Sequence, residues 1–509
     1  MLNTEHFDAD IIVAGAGPSG LVVSCEAALG GARVLTLEKR GEPSWSRAGN
    51  LTSRVLELFA SRGLADRILK RAFELHTEPR TASGIWAGLP GLRYEGLETD
   101  YPFVLFLSQI EIERMLTEHL KDLGGDLRLR HEVLGFDQDE TGVSVRVRTE
   151  AQGERTFRAR YLVGADGNKS SVRTAAGIPF EGHAATKYAY NVDARIRNPY
   201  PGVSTFFHSE AGWAMAYPLR DTVTRLAFID AQTCRGPQSE STSFDEAMAM
   251  LRRVHGSDFD IREVEAITRF HDAMFLAARM RERRVFLVGE SVRIHYPASG
   301  VGMNFCIQDA FNLGWKLAAV AAGRAADSLL DTYEQERRPQ IEALLDDVRR
   351  QCAIQFNFDD EHAALKRFLQ DVLIPMPDVN RRLCENLSGL GARYERGEGS
   401  HPSVGQRMPN LKLTDAEGET SSVFEQLRGQ DFLLLDLTGG VAPRALAGLR
   451  MKTASLTAPV SNSSLQGAAT VLVRPDGYIA WAGEQACSEY FPFEELARWL
   501  PSAGRLADR

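Results

Sequence analysis

The sequence predicts an α/β protein of three units: a dinucleotide-binding domain of Rossmann-like topology, an antiparallel sheet domain inserted into it, and a smaller C-terminal α/β domain. Three observations predict this. A strand, a glycine turn, a helix and a second strand open the chain, with Gly15, Gly17 and Gly20 in GxGxxG spacing. Longer alternating strands replace that pattern between about 180 and 275. The Gly/Pro-containing stretch "RYERGEGSHPSVGQRMPNLKL" marks a boundary near 395. The expected division is 1–178 with 276–394, then 179–275, then 395–509.

At 509 residues the chain is too long for one core, which fits several domains. The net charge of -9 and a pI near 5.8 argue against nucleic acid and anionic membranes as partners. No apolar run reaches the roughly 20 residues of a membrane helix. The start, "MLNTEHFDAD", has no basic and apolar signal pattern. The six cysteines are scattered, with no CxxC and no Cys/His cluster of metal spacing. Reduced thiols in a cytoplasmic protein without a metal are expected.

In the first unit Ile11 to Ala14 reads as a buried strand, Pro18 to Leu29 as a helix, and "ARVLTLEK" as a second strand ending near Glu38 and Lys39. The first glycine permits the tight turn, the second lets backbone approach a pyrophosphate, and the third lets helix pack on strand. Pro18 and Ser19 open the helix, whose N–H groups face the phosphates. Glu38 follows Gly20 by 18 residues, a distance suited to an acid that accepts from ribose hydroxyls. Arg47 lies on a Ser/Gly loop before a helix read from Ser53 to Leu69, and Gln109 starts another amphipathic helix. "RTFRARYLVGADG" is a strand that ends at Asp166, where open α/β sheets bind ligands.

The middle sheet carries Phe206, His208, Trp213, Met215, Tyr217 and Phe228. Taken singly, each suits sheet-core packing. As a group they suit a flat apolar ligand. "RRVFLVGE" returns to a buried strand that runs into "VGESVRIHYPASGVGMNF", a ligand loop feeding a helix with Ile307, Phe311, Gly314 and Leu317 on one face. "SLLDTYEQERRPQIEALLDDVRRQ" reads as a long helix whose charges form a solvated face, and "RPDG" as a turn between two strands.

Five segments together carry a resemblance: "AGAGPSG", "YLVGADGNKSSVR", "IQDAFNLGWKLAAV", "GSHPSVGQRMPNL" and "VLVRPDGYIAWAG". The chain resembles the class A FAD-dependent aromatic monooxygenases of the para-hydroxybenzoate hydroxylase fold, most closely the aromatic polyketide hydroxylases of the angucycline and anthracycline type. The resemblance covers nearly the whole chain. It implies an FAD-binding domain of the GR2 type and a thioredoxin-like C-terminal domain. Without CxxC that domain is expected to pack or dimerise rather than do redox work. The resemblance further implies FAD along Gly15 to Gly20, with its ribose on Glu38 and Arg47 and Gln109 near the ribityl and phosphate region. Asp166 belongs to an Asp-Gly motif closed by Arg173. Glu290 stands where relatives place an Asp on the ribityl chain. Pro297, Gly300, Gly302, Met303 and Asn304 match the loop beneath the flavin ring. NADPH or NADH acts as transient donor, and oxygen transfer to a polycyclic aromatic substrate runs through a flavin C4a-hydroperoxide. Ring hydroxylation in antibiotic biosynthesis, Baeyer–Villiger insertion and modification of an antibiotic all remain open.

The family run Gly-Asp-Ala-Ala-His, His-Pro-Pro, Gly-Gly-Gln-Gly reads here Gly289-Glu290-Ser291-Val292-Arg293, His295-Tyr296-Pro297, Ser299-Gly300-Val301-Gly302. Glu is one methylene longer than Asp, roughly 1.5 Å. Arg293 is a fixed cation that suits Glu290, a phosphate or an acidic substrate group as partner. Tyr296 brings a hydroxyl to the substrate side. Arg293, Tyr296 and Pro297 are the candidates for a direct role in the chemistry. The alternatives are a working monooxygenase with a retuned flavin, a descendant whose flavin chemistry is altered or lost, and a dehydrogenase using the first glycine motif alone.

Overall fold

The computed structural model describes residues 6–42, 48–150, 153–197, 205–220, 222–235, 242–257, 259–414, 418–438, 451–456, 465–485 and 499. Arg47 and Cys487 lie outside them.

The first unit is built on a six-stranded sheet in the order Arg281–Glu282, Val285–Leu287, Tyr161–Gly164, Ile11–Ala14, Val34–Glu38, Asp126–Leu129. All neighbours are parallel except the antiparallel edge strand Arg281–Glu282. Ile11–Ala14 and Tyr161–Gly164 are buried throughout, as strands covered on both faces must be. The register sets Ala14 beside Leu37 and Gly164. The carboxyl ends of these strands therefore share one edge. The Pro18–Leu29 helix packs on the Gly302–Ala321 helix, and Gly314 allows their close approach: a Cβ there would lie 2.5 Å from Glu26 Cβ.

The inserted unit is a five-stranded antiparallel sheet in the order Thr205–Ser209, Gly212–Arg220, Val223–Asp230, Tyr188–Ile196, Ile261–His271. Because side chains alternate along a strand, each strand contributes to both faces. One face holds Tyr190, Leu226 and Phe228 against Met248 and Leu251 of the Phe244–His255 helix. That helix has a Ser243–Glu246 capping box at its start and Gly256, φ 78°, at its end. Phe228 is fully buried and stacks on Tyr190 at 5.5 Å. It belongs to this core and not to a ligand pocket, which corrects the sequence expectation. Its strand neighbours Arg225 and Ala227 take the other face.

Three further expectations change. The helix read from Ser53 to Leu69 is two helices, Ser53–Ala60 and Ala65–Leu75, separated by a turn through Gly63 at φ 71°. The strand in "RRVFLVGE" is only Val285–Leu287, because Gly289 at φ 72° turns the chain into a 3-10 turn, Gly289–Ser291. The long helix is Asp331–Gln355, but its charges do not all face solvent: Arg337 is buried.

The described part of the C-terminal unit is a six-stranded mixed sheet with Met451–Leu456 and Phe432–Asp436 at its centre. Its "RPDG" turn is driven into the first unit. Arg474 pairs with Glu336 at 2.6 Å and with Asp476 at 2.5 Å, and Trp315 Nε1 donates to Asp476 at 3.1 Å. Arg474 is buried, so its removal leaves Glu336 with Lys316 as its one remaining cation among the described residues and Asp476 with the Trp315 indole. Arg474→Ala should destabilise the protein by about 3–5 kcal/mol, read by urea denaturation. A loss below about 1 kcal/mol would mean that these charges do not fasten the unit.

Candidate functional site

The carboxyl ends of the parallel strands open into a cavity of ≈ 920 Å³. Its walls combine Gly15, Gly17, Pro18, Ser19, Glu38, Lys39, Gln109 and Asp166 with Glu290, Pro297, Gly300, Gly302 and Met303. Phe206, Trp213, Met215 and Tyr217 of the inserted sheet, with Tyr296, also line it. Segments nearly 300 residues apart in sequence thus meet around one space.

The three glycines divide by cause. Gly15 sits at φ 105°, and a Cβ there would lie 2.4 Å from the Ala165 carbonyl oxygen. At Gly20 it would lie 1.9 Å from the Gly15 oxygen. The protein's own packing demands these two. Around Gly17 nothing lies within 4 Å, so a side chain there would occupy only the cavity. Gly20 does its work in the packing and not on the cavity wall.

Glu38 accepts from the Ala16 amide at 2.9 Å, from the Arg40 amide at 3.0 Å and from Arg40 Nε at 2.8 Å. Burial works against its charge, but these hydrogen bonds hold its carboxyl below the usual carboxylate range. Asp166 accepts from Ser170 Oγ at 2.5 Å, Ser171 Oγ at 3.0 Å and the Val172 amide at 3.1 Å. It thereby fixes the turn after the strand. Arg173 donates to the Ser291 and Asn168 carbonyls at 3.0 and 2.9 Å, tying this turn to the 289–291 turn. Gln109 Nε2 donates to Glu113 at 2.7 Å.

Arg293 takes none of the three partners left open for it. Its side chain is fully buried and pairs with Asp309 at 2.5 Å, while Arg337 holds the other oxygen of Asp309 at 2.7 Å. The short strand Arg293–Ile294 pairs with Met274–Ala277, beside the Gly302–Ala321 helix that carries Asp309. Glu290 lines the cavity and makes no pair with Arg293. Tyr296 is buried between Phe270 and Phe356, with ring centroids at 5.5 and 5.0 Å. It serves as an aromatic wall. Burial pushes its hydroxyl well above the ordinary tyrosine range.

The loop beneath is braced. Ser299 adopts φ 52°, and its hydroxyl lies 2.9 Å from the Ile85 carbonyl oxygen and 2.8 Å from Gln351 Oε1, with one proton to donate to either. Gly300 sits at φ 68°, where a Cβ would lie 2.6 Å from Asn50 Nδ2. Asn304 does not project into the cavity: it accepts from the Thr52 amide at 2.8 Å and donates to the Asn50 carbonyl at 3.2 Å. Gly302 and Met303 line the cavity at the start of the Gly302–Ala321 helix, whose first N–H groups lack helical acceptors.

Sequence reasoning missed Asn191, Arg225, Phe270 and His295 on the walls. The phase of "VTRLAFID" was the available signal, since Arg225 and Ala227 share a face opposite Leu226 and Phe228. His295 Nδ1 meets the Tyr296 carbonyl at 2.7 Å. Burial, aided by nearby Arg293 and opposed by the Tyr296 hydrogen bond, pushes its imidazole down to about 4. At neutral pH it is uncharged, so Nδ1 donates and Nε2 is left as an acceptor.

A parallel sheet with a glycine-loop cavity, completed by an antiparallel sheet, defines a dinucleotide-binding oxidoreductase class. The FAD binding domain family matches residues 8–348, and the aromatic-ring hydroxylase C-terminal family matches 401–503. The chain is 37% identical over 492 residues to 12-dehydrotetracycline 5-monooxygenase/anhydrotetracycline 6-monooxygenase of Streptomyces rimosus, covering 93% of this chain and 95% of that one. It is 37% identical over 479 residues to rifampicin monooxygenase of Streptomyces venezuelae, covering 93% and 96%. The structure of the anhydrotetracycline hydroxylase OxyS of Streptomyces rimosus superposes with a TM-score of 0.83 at 34% identity, covering 97% and 99%. The chain belongs to the FAD-dependent aromatic polyketide monooxygenases.

Two outcomes follow from this geometry. Gly17→Val should fold with an unchanged melting temperature and lose FAD binding, read by flavin fluorescence titration. Gly20→Val should lower the melting temperature. Equal melting temperatures for the two variants would contradict the division of roles. For His295, a folded value of about 4 against the ordinary 6.5 means the unfolded chain binds the extra proton between those values. The stability it contributes is therefore present above pH 6.5 and lost as pH falls toward 4, by at most about 1.4 kcal/mol per pH unit. His295→Gln should flatten that acid-side slope in denaturation measured from pH 7 to 4.5. An unchanged slope would rule His295 out as its source.

Proposed function

We propose that the protein is an FAD-dependent, NADPH- or NADH-consuming monooxygenase that hydroxylates a polycyclic aromatic polyketide with molecular oxygen, as a step in antibiotic biosynthesis in the cytoplasm. One observation carries this reading: a single cavity joins a glycine-loop cradle to an aromatic wall. The residues present fit FAD. Gly15, Gly17, Pro18 and Ser19 with the helix N-terminus would take the pyrophosphate, Glu38 the adenosine ribose, and Gln109, Asp166 and Glu290 the middle of the cofactor. Pro297, Gly300, Gly302 and Met303 would lie along the ring. Bound FAD would supply two-electron acceptance from the nicotinamide donor and activation of oxygen. The chain itself would place N–H groups of the Gly302–Ala321 helix against negative charge. Its aromatic wall would keep water out. The proposed domains are 1–178 with 276–394, 179–275, and 395–509.

A second reading, modification of an antibiotic, is favoured by the rifampicin monooxygenase relative, and insertion of oxygen beside a carbonyl is the alternative outcome of the same oxygen transfer. Incubation with NADPH, labelled O₂ and a set of polycyclic phenols decides between them. Hydroxylation gives one labelled oxygen on a ring carbon. A labelled lactone or a labelled drug product would select the second reading, and absence of any label in any product would sink both. Glu290→Gln should weaken FAD binding about tenfold or more, the value of a hydrogen bond to a charged group. An unchanged Kd would remove Glu290 from the cofactor site.

A further inference from the structure

Among the described residues between 288 and 306 that line the cavity, Arg293 is the one fixed cation. Only one of its nitrogens is engaged by the protein: Nη1 donates to Asp309 at 2.5 Å. Nε and the second Nη are buried and have no hydrogen-bond partner among the described residues. Asp309 also serves Arg337, whose Nε donates to its other oxygen at 2.7 Å. One carboxylate between two guanidinium groups leaves one positive charge over. Of the two arginines, Arg293 is the one on the cavity wall.

Its charge is felt on that wall. It works with burial to hold the His295 imidazole neutral, and against burial at the Cys306 thiol. Both groups line the cavity, and the His295 ring lies against Gly302, 3.4 Å from where a Cβ would sit. Gly302 belongs to the segment assigned above to the flavin ring. The loop pattern expected of the family has His at the position of Arg293. Burial holds an imidazole neutral at pH 7, as at His295. An arginine keeps its proton. Bracing alone does not call for that charge, because Arg337 already pairs with Asp309.

We propose that the fixed charge of Arg293 raises the two-electron reduction potential of bound FAD above what a neutral residue at this position would give. This rests on the monooxygenase reading and deepens it. The nicotinamide donor gives up a hydride, so NAD(P)H becomes NAD(P)⁺ and the flavin ring gains two electrons and one proton. The neutral ring thereby takes on one negative charge, and a cation on the wall favours the charged side of that equilibrium. A unit charge roughly 10 Å away, at an effective dielectric constant of about 20, is worth about tenfold. The role is electrostatic, exerted through the wall rather than by proton transfer.

The test reduces FAD-loaded full-length protein in steps, without oxygen, against a reference dye of known potential. Protein that takes up no FAD overturns the monooxygenase reading and this inference with it. Wild-type protein is expected to bind reduced FAD more tightly than oxidised FAD, and the reverse order overturns the proposal while leaving the monooxygenase reading in place. Arg293→Gln is expected to lose about tenfold of that preference, a fall of about 30 mV in a two-electron potential. Arg293→Lys keeps the charge and is expected to stay within about threefold of the wild type. Arg337→Gln takes the same charge from the Asp309 trio behind the wall and is expected to shift the potential less. A residue that only braced the fold would weaken both forms of FAD alike. An unmoved potential in Arg293→Gln therefore overturns the proposal, as does an equal fall in Arg293→Lys or in Arg337→Gln. Should Arg293→Gln fail to fold, Arg293→His, the residue of the family pattern, takes its place with the same fall expected.

Discussion

Asp309 carries two guanidinium groups inside the core, Arg293 on one oxygen and Arg337 on the other. All three side chains are fully buried, so neither arginine has water to fall back on. Leaving one such cation unpaired would cost several kcal/mol. The carboxylate therefore dictates where three segments meet: the strand before the cavity loop, the Gly302–Ala321 helix and the Asp331–Gln355 helix. Arg337 passes the constraint on, donating to the Tyr394 hydroxyl at 3.3 Å, and Tyr394 stacks on Tyr478 of the C-terminal unit at 4.1 Å. Two cations to one anion leave the trio with a net positive charge in the core, about two turns into the Gly302–Ala321 helix.

What could be read from sequence follows from how local the cause is. The glycine loop was legible because its three positions are fixed within ten residues, by a tight turn and a close helix–strand approach. The antiparallel sheet was legible from alternation, but the phase of that alternation was not. Aromatic character alone put Phe228 with Phe206 and Met215, although the strand register turns it to the other face. Whether a side chain faces a cavity depends on which layer covers each face. Here that is settled by the Phe244–His255 helix, a partner encoded elsewhere in the chain.

Charge was the least legible property. The run in Asp331–Gln355 has the composition of a solvated face, yet Arg337 is buried and Glu336 meets Lys316 and Arg474. Arg293 stood beside Glu290 in sequence, and proximity made that pair an obvious suggestion. Its partner is sixteen residues away on the next helix. Long-range ion pairs leave no local periodicity, because either member is compatible with any neighbour until the fold brings them together.

The positions where this chain departs from the loop pattern expected of the family are used mainly for bracing. Ser299 accepts a left-handed backbone and in return ties the cavity loop to Ile85 and Gln351. Arg293 closes the core beneath the loop, and Tyr296 fills an aromatic layer between Phe270 and Phe356. None of these changes removes a group that the cofactor cradle needs. Gly17 stays open, Gly302 and Met303 still face the cavity, and Glu290 keeps its carboxylate on the wall because Arg293 is engaged with Asp309. Sequence divergence in the loop therefore argues for a differently fastened site rather than a lost one.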